Sequence, residues 1–287
     1  MVTLNVSMSA DITRLARATQ ELGWQTALFE YTKTRIANGQ MPYEDSRSSD
    51  WVYLLNPADR AVSLVMGCGL GEAPLALSRI SSKVYAADCD KDRIAFLDLR
   101  RQQQQIENVA PVLMKKNAEP SLPAKSFDIV SVREFDWHPE SPATLTGVLR
   151  HARRWLKSGG QLHLSLANRL VQPRLQPSIT AFGYQGLLKK EGFSDIELYA
   201  PLPFGQRAPL FYVPLSDPGL MNCFLRDIFG LFEAASPEVK KTYALEYQLA
   251  RLGVKAAPFF GLARLIKYFV PGFHVIARKK SDVGSAR

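Results

Sequence analysis

The sequence predicts an α/β fold, a mostly parallel sheet with helices on both of its faces. Short apolar runs alternate with segments of helical periodicity between residues 61 and 199, the pattern of a sheet built from strand–helix units. One of those runs, Ser63-Leu64-Val65-Met66, leads straight into Gly67-Cys68-Gly69-Leu70-Gly71 and then a helical pattern. The next run, Val84-Tyr85-Ala86-Ala87, is closed by an acidic residue, Asp88, 17 positions after Gly71.

The elements follow in order. Residues 3–38 read as helical, with apolar residues at helical spacing through Ile12, Leu15, Ala16, Ala18 and Leu22 and again through Ala27, Leu28, Tyr31 and Ile36. Residues 46–57 are a polar and aromatic connector. Strands are expected at 61–66, 83–87, 110–114, 127–132, 161–166 and 195–199, with helices at 72–80, 91–105, 142–156 and 180–191. Lys157-Ser158-Gly159-Gly160 ends the third of these helices and introduces a strand. Pro201, Pro203, Pro209, Pro214 and Pro218 then break the pattern. Helical stretches follow at 220–234, 237–252 and 257–269, and residues 272–278 make a seventh strand. The expected organisation is an N-terminal helical lid (1–50), a core (51–204 and 271–280), a helical cap inserted between strands six and seven (205–270) and a disordered tail (281–287).

With 287 residues, 46% hydrophobic and 22% charged, the chain has the composition of a globular protein. No apolar stretch approaches the roughly 20 residues that span a bilayer, and no signal peptide is evident at the N-terminus. Cys68, Cys89 and Cys223 are odd in number and widely spaced, so a disulfide framework is not expected and a reducing cytoplasm is. The net charge of +9 is unevenly placed: residues 141–190 hold eight basic side chains and no acidic one. That window reads either as a solvated helix face or as a surface for an anionic partner. Only Trp155 lies among Arg150, Arg153, Arg154 and Lys157, whereas strips that grip nucleic acid are commonly interleaved with stacking aromatics, so nucleic acid is disfavoured.

Glycines at alternate positions let backbone approach a ligand where a Cβ would collide. A turn into a helix also offers backbone N–H groups to that ligand. An acidic residue placed as Asp88 can accept hydrogen bonds from two ribose hydroxyls. A glycine turn without a ligand is the plain alternative.

Several segments in the correct order give the chain a family likeness. Gly67–Gly71 resembles the glycine-rich first motif of class I S-adenosylmethionine-dependent methyltransferases, and Asp88 resembles the acidic residue after their second strand. Leu122-Pro123 followed by Ser126-Phe127-Asp128-Ile129-Val130 resembles the approach to their fourth strand. Leu156-Lys157-Ser158-Gly159-Gly160 resembles the turn before the fifth, and residues 273–279 resemble the antiparallel seventh. The likeness covers about residues 60–200 and 272–280. It implies a Rossmann-like, seven-stranded fold that binds S-adenosylmethionine and releases S-adenosylhomocysteine. Two positions depart from the family pattern. Val65 stands where a carboxylate is usual, and Asn117-Ala118 stands where an aspartate near the adenine is common. A dinucleotide is the rival ligand, but its fingerprint wants glycine or alanine at position 72. Glu72 is found there, where it would repel a pyrophosphate.

Ligands of such sheets sit beyond the carboxyl ends of the strands. The expected donor-binding residues are Gly67, Cys68, Gly69, Gly71, Asp88, Cys89, Asn117, Ala118 and Arg133. Glu134, Asp136 and His138, just past the fourth strand, are the candidates for a general base, with helix capping as the plain reading of His138. Trp137, Arg169, Arg174 and Arg207 are candidates for holding the acceptor. His274 reads as a strand residue, and His151 and His163 carry no special signal. No metal site is expected. The sequence thus points to methylation, most readily at oxygen, of a small anionic or apolar acceptor such as a natural product, sugar or lipid intermediate in a biosynthetic route. RNA methylation and a non-catalytic partner-binding module are the alternatives. Residues 257–270, with Arg264 and Lys267, allow peripheral membrane contact, and a homodimer is one option for the assembly.

Overall fold

The structure is a computed structural model. It describes residues 2–37, 49–115, 122–132, 143–168, 178–202, 211–217, 233–242 and 270–281, with isolated positions at 170, 209 and elsewhere between 219 and 252. Helices α1 (Val2–Leu22) and α2 (Trp24–Ala37) come first, followed by a 3-10 helix at Asp50–Leu54. Strand β1 (Val62–Met66), α3 (Glu72–Leu77), β2 (Lys83–Asp88), α4 (Lys91–Gln103) and β3 (Val109–Leu113) form the first half of the sheet. The second half is β4 (Phe127–Val132), α5 (Ala143–Trp155), β5 (Leu156–Asn168), β6 (Ser178–Ile179), α6 (Ala181–Lys190), β7 (Phe193–Leu202), β8 (Phe211–Pro214) and β9 (Gly272–Lys279).

The strand order is β3-β2-β1-β4-β5-β9-β7-β8, with β6 paired beside β5. Strands β3, β2, β1, β4 and β5 run parallel, and β9 is inserted antiparallel between β5 and β7. The order reverses where β1 lies between β2 and β4, the switch point at which open sheets of this kind bind ligands.

The α/β class is as expected, but among the described residues the sheet has nine strands rather than seven. The two additions are short. The β6 segment pairs only Ser178 and Ile179 with the end of β5. Strand β8 extends the sheet into the stretch expected to begin the helical cap, pairing Phe211 to Pro214 with the end of β7. Both were hidden by length and by proline, which normally marks a break in a strand. Pro201 lies where the pairing of β7 with β9 has ended. The segment 157–160 is also not a simple stop, because β5 begins directly after Trp155. Leu156 pairs with Phe127, and the register then shifts so that Gln161 meets Ile129. Gly159 accommodates that excursion at φ +75°.

Both faces of the sheet are covered. On one, α5 and α6 bury Val148, Leu149, Trp155, Tyr184 and Leu188 against β4, β5 and β9. On the other, α3 and the 3-10 helix bury Leu75, Leu77 and Trp51 against Val65, Ile129 and Ile276. A third cluster joins the N-terminal helices to the core: Ile12, Leu15, Ala27 and Leu28 pack on Phe96 of α4 and on Leu70.

The basic window is partly neutralised from outside itself. Arg150 pairs with Glu191 at 3.2 Å and Lys157 with Asp128 at 2.7 Å. The Asp128 carboxylate also accepts the Val62 N–H, tying β4 to β1.

The connector at 46–57 holds the main surprise of the core. Trp51 is fully buried, and its ring stacks on His163 at 3.5 Å, with the planes 4° apart. The His163 Nδ1 lies 2.9 Å from the Ser131 hydroxyl, and its Nε2 lies 2.9 Å from His274 Nδ1. Tyr212 of β8 packs edge-on against His274. This polar seam crosses β4, β5 and β9 under the indole, so Trp51→Ala opens a cavity over it. The expected cost is about 3–5 kcal/mol in urea unfolding, with Trp51→Phe costing less; a loss below about 1 kcal/mol would contradict the buried placement.

Candidate functional site

The carboxyl ends of β1 and β2 build the site. Gly67, Gly69 and Gly71 adopt φ of +72°, +56° and +97°, a region in which a Cβ is strained. Gly71 is also sterically required, since a Cβ there would lie 2.7 Å from Leu97 Cδ1 of α4. Alternate glycines therefore reverse the chain and let α4 close against the start of α3.

Strand β2 holds this turn from beside it. The Ala87 carbonyl accepts the N–H groups of Gly67 and Cys68 at 2.9 and 3.2 Å. Asp88, 5% exposed, accepts the Gly69 N–H at 3.2 Å on Oδ2 and the Asp90 N–H at 3.0 Å on Oδ1. Gly71 N–H closes on the Cys68 carbonyl at 3.0 Å. The N–H groups of Gly67, Cys68, Gly69 and Gly71 thus point into the turn and its neighbour strand. What it offers a ligand is close backbone approach and the Asp88 carboxylate.

Two residues around Asp88 carried no sequence signal as site residues. Arg93, from the first turn of α4, places Nη1 3.6 Å from Asp88 Oδ2 and Nε 3.9 Å from Asp90 Oδ2. Asp90 caps α4, accepting the Asp92 and Arg93 N–H groups at 2.8 and 3.3 Å. The cap fixes the backbone from which Arg93 reaches back to Asp88. The Asp-x-Asp-x-x-Arg spacing of Asp88, Asp90 and Arg93 fits a helix N-terminus as readily as a site.

Of the expected donor residues, Gly67, Cys68, Gly69, Gly71, Asp88 and Cys89 come together here. Cys68 is buried with Val65 and Ala73, so only its backbone faces the turn's outer side. Cys89 is half-buried against the α5–α6 side of the sheet. Val65 is fully buried in the opposite cluster, a position at which a carboxylate would be desolvated among Trp51, Leu77 and Ile129. Asn117, Ala118, Arg133, Glu134, Asp136, Trp137, His138, Arg169, Arg174 and Arg207 lie outside the described residues.

Farther along the sheet, burial and the Glu197 carboxylate, which accepts its hydroxyl, push the Tyr199 phenol well above its ordinary pKa. A cleft of about 960 Å³ opens between α2, the 3-10 helix, α3 and the end of α4, lined in part by Trp24, Tyr53, Arg79 and Gln104. Its lining excludes Asp88, Gly67 and Gly69, so it is distinct from the strand-end site. Among the described residues no group of three or more His, Cys, Asp or Glu side chains is placed to hold a metal, and no helix is long and apolar enough to cross a membrane.

Residues 64–164, from β1 to the middle of β5, match the family model described as a methyltransferase domain. That segment contains the glycine turn, Asp88 and the switch point. Residues 64–164 form a methyltransferase domain. No curated protein matches it significantly. Among solved structures, the methyltransferase is similar to the YcgJ protein of Bacillus subtilis, at 15% identity and a TM-score of 0.46, over 80% of this chain and 96% of that one. It is similar to a putative methyltransferase of Bacillus halodurans at 16% identity and a TM-score of 0.46, over 80% and 97% of the two chains. It is also similar to phosphoethanolamine N-methyltransferase 2 of Haemonchus contortus, solved with phosphomonomethylethanolamine and S-adenosylhomocysteine. There the identity is 16% and the TM-score 0.50; the match covers 92% of this chain but only 59% of the other. At such identities the likeness is one of fold.

The donor of class I methyltransferases is S-adenosylmethionine, and the residues present fit it. Its nucleoside needs a close backbone surface and a paired acceptor, which Gly67–Gly71 and Asp88 would supply. It carries no phosphate, so Glu72 at the head of α3 is compatible with it.

The turn's geometry yields a paired expectation. Gly71→Ala meets both the positive φ and the Leu97 contact, whereas Gly159→Ala meets the positive φ with nothing within 4 Å. In urea unfolding the first is expected to cost about 2–4 kcal/mol and the second about 1–2 kcal/mol. Equal costs would show that Leu97 does not press on Gly71.

Proposed function

We propose that this methyltransferase moves the methyl group of S-adenosylmethionine to a small-molecule acceptor, with Asp88 holding the donor's ribose. The observation that carries the reading is the joining of Asp88 to the glycine turn through the Gly69 N–H, which puts a carboxylate beside a backbone surface at the switch point of the sheet. Transfer is an in-line displacement at the sulfonium carbon. The protein's share of the work is to hold the two reactants in line and to keep water away.

For the acceptor we infer oxygen, because Glu134, Asp136 and His138 follow β4 in sequence and a hydroxyl gains from a general base. Arg133, Asn117 and Ala118 complete the donor side of the reading. Arg169, Arg174, Arg207 and Trp137 are assigned to the acceptor, which suits an anionic or partly apolar small molecule. The Haemonchus enzyme's phosphorylated amine is one such acceptor, which makes phosphorylated amino alcohols a sensible part of a first panel. The helical positions between residues 219 and 252 and the N-terminal helices are assigned to cap and lid. Pairing of Arg150 with Glu191 and of Lys157 with Asp128 favours a small molecule over RNA, because it removes two cations from the basic window at 141–190.

The test combines binding and transfer. S-adenosylhomocysteine should bind the full chain in calorimetry, and Asp88→Ala should weaken it by about 1–3 kcal/mol. Methyl-labelled S-adenosylmethionine, offered with a panel of hydroxylated and phosphorylated small molecules and with RNA, should label a small molecule. Label in RNA alone would transfer the assignment to nucleic acid, and absence of donor binding would leave a non-catalytic module.

A further inference from the structure

The carbonyl of Leu70 stands at the centre of the glycine turn. Its flanking residues, Gly69 and Gly71, have no side chains to restrict rotation of the adjoining peptide units. Four residues on, where a helix would supply an N–H to this carbonyl, the chain has Pro74, which has none. The bond comes from outside the turn. Arg100, near the end of α4 and 3% exposed, donates from Nη1 to the Leu70 carbonyl at 3.0 Å. The same guanidinium lies under the indole of Trp24, 4.5 Å from the ring centroid.

Trp24 is the first residue of α2, and it is tied down independently. Its N–H is accepted by Gln103 Oε1 at 2.7 Å, and Gln103 Nε2 donates to the Thr19 carbonyl at 3.0 Å. The Thr13 hydroxyl bonds the Asp92 carboxylate at the other end of α4. The Leu70 side chain packs in the same cluster as Ile12, Leu15, Ala27 and Leu28. So the N-terminal helices reach the turn twice, once through the Leu70 side chain and once through Trp24, Arg100 and the Leu70 carbonyl.

We propose that Arg100 is a positioning residue for the donor site: it sets the orientation of the Leu70 peptide, and Trp24 makes that setting depend on the docked N-terminal helices. This rests on the reading of the turn as the donor site. Arg100 does not touch the donor. It acts by holding the surface the donor meets, so docking of the helices and donor affinity are coupled, and by reciprocity the donor steadies the helices.

The experiment is titration of the full-length chain and four variants with S-adenosylhomocysteine, at a temperature where circular dichroism shows each to be folded. Arg100→Met keeps the volume of the stem while removing the bond and the charge, and is expected to weaken binding about tenfold. Trp24→Ala should weaken it about fivefold, and Trp24→Phe, which keeps a ring over the guanidinium, should stay within about twofold of the unaltered chain. In the Trp24→Ala, Arg100→Met double variant the loss should be no greater than for Arg100→Met alone, since Trp24 acts through Arg100. A merely structural role would lower the melting temperature without this affinity pattern. Failure of the unaltered chain to bind would overturn the functional reading and this inference with it. Binding by the unaltered chain with all variants within twofold, or with the double variant equal to the product of the singles, would overturn the inference alone. If Arg100→Met does not fold, Trp24→Ala against Trp24→Phe decides: equal affinities overturn it.

Discussion

The bond from the Gly69 N–H to the Asp88 carboxylate is the contact on which the site depends. It joins the turn after β1 to the end of β2, beside the switch point where β1 lies between β2 and β4. With the Ala87 carbonyl accepting from Gly67 and Cys68, it aligns a turn that its own residues cannot fix. Glycine's freedom allows the sharp reversal but specifies nothing. The specification comes from neighbours: β2 on one side, Arg100 of α4 on the other, and Leu97 filling the space that Gly71 leaves.

The same dependence explains the layering outside the sheet. Helix α4 contributes Arg93 to Asp88, Arg100 to Leu70 and Phe96 to the N-terminal cluster, so one helix braces the turn, the carboxylate and the N-terminal helices. Asp90 caps that helix two residues after Asp88, so the cap also fixes the backbone that follows the carboxylate. On the far half of the sheet, Asn168 ends β5 by donating to the Val270 carbonyl at 2.7 Å, which fixes the point where β9 enters. The β5–β9–β7 arrangement is thereby anchored at the same carboxyl edge.

Much of this was legible in the chain. The strands at 62–66, 83–88 and 127–132 are long apolar runs with clear flanks, and Gly67–Gly71 and Asp88 name their own location. What was not legible falls into two physical kinds. Strands β6 and β8 are two and four residues long, too short for period-2 alternation to stand out, and β8 ends in proline. The other kind is partnership across the sequence. Trp51 with His163 and His274, Arg100 with Leu70, and Arg93 with Asp88 each join residues on different elements, and nothing local in the pattern marks them. The bonds of the Gly67, Cys68 and Gly69 N–H groups were hidden for the same reason, since their acceptors, Ala87 and Asp88, belong to the next strand.

The central claim is that Asp88 and the Gly67–Gly71 backbone form the donor's nucleoside seat. A crystal structure of the chain with S-adenosylhomocysteine tests it directly. The account predicts the ribose hydroxyls within hydrogen-bond distance of the Asp88 carboxylate and the nucleoside lying against Gly67–Gly71. A nucleoside seated in the cleft between α2 and α3, or away from Asp88, would contradict it.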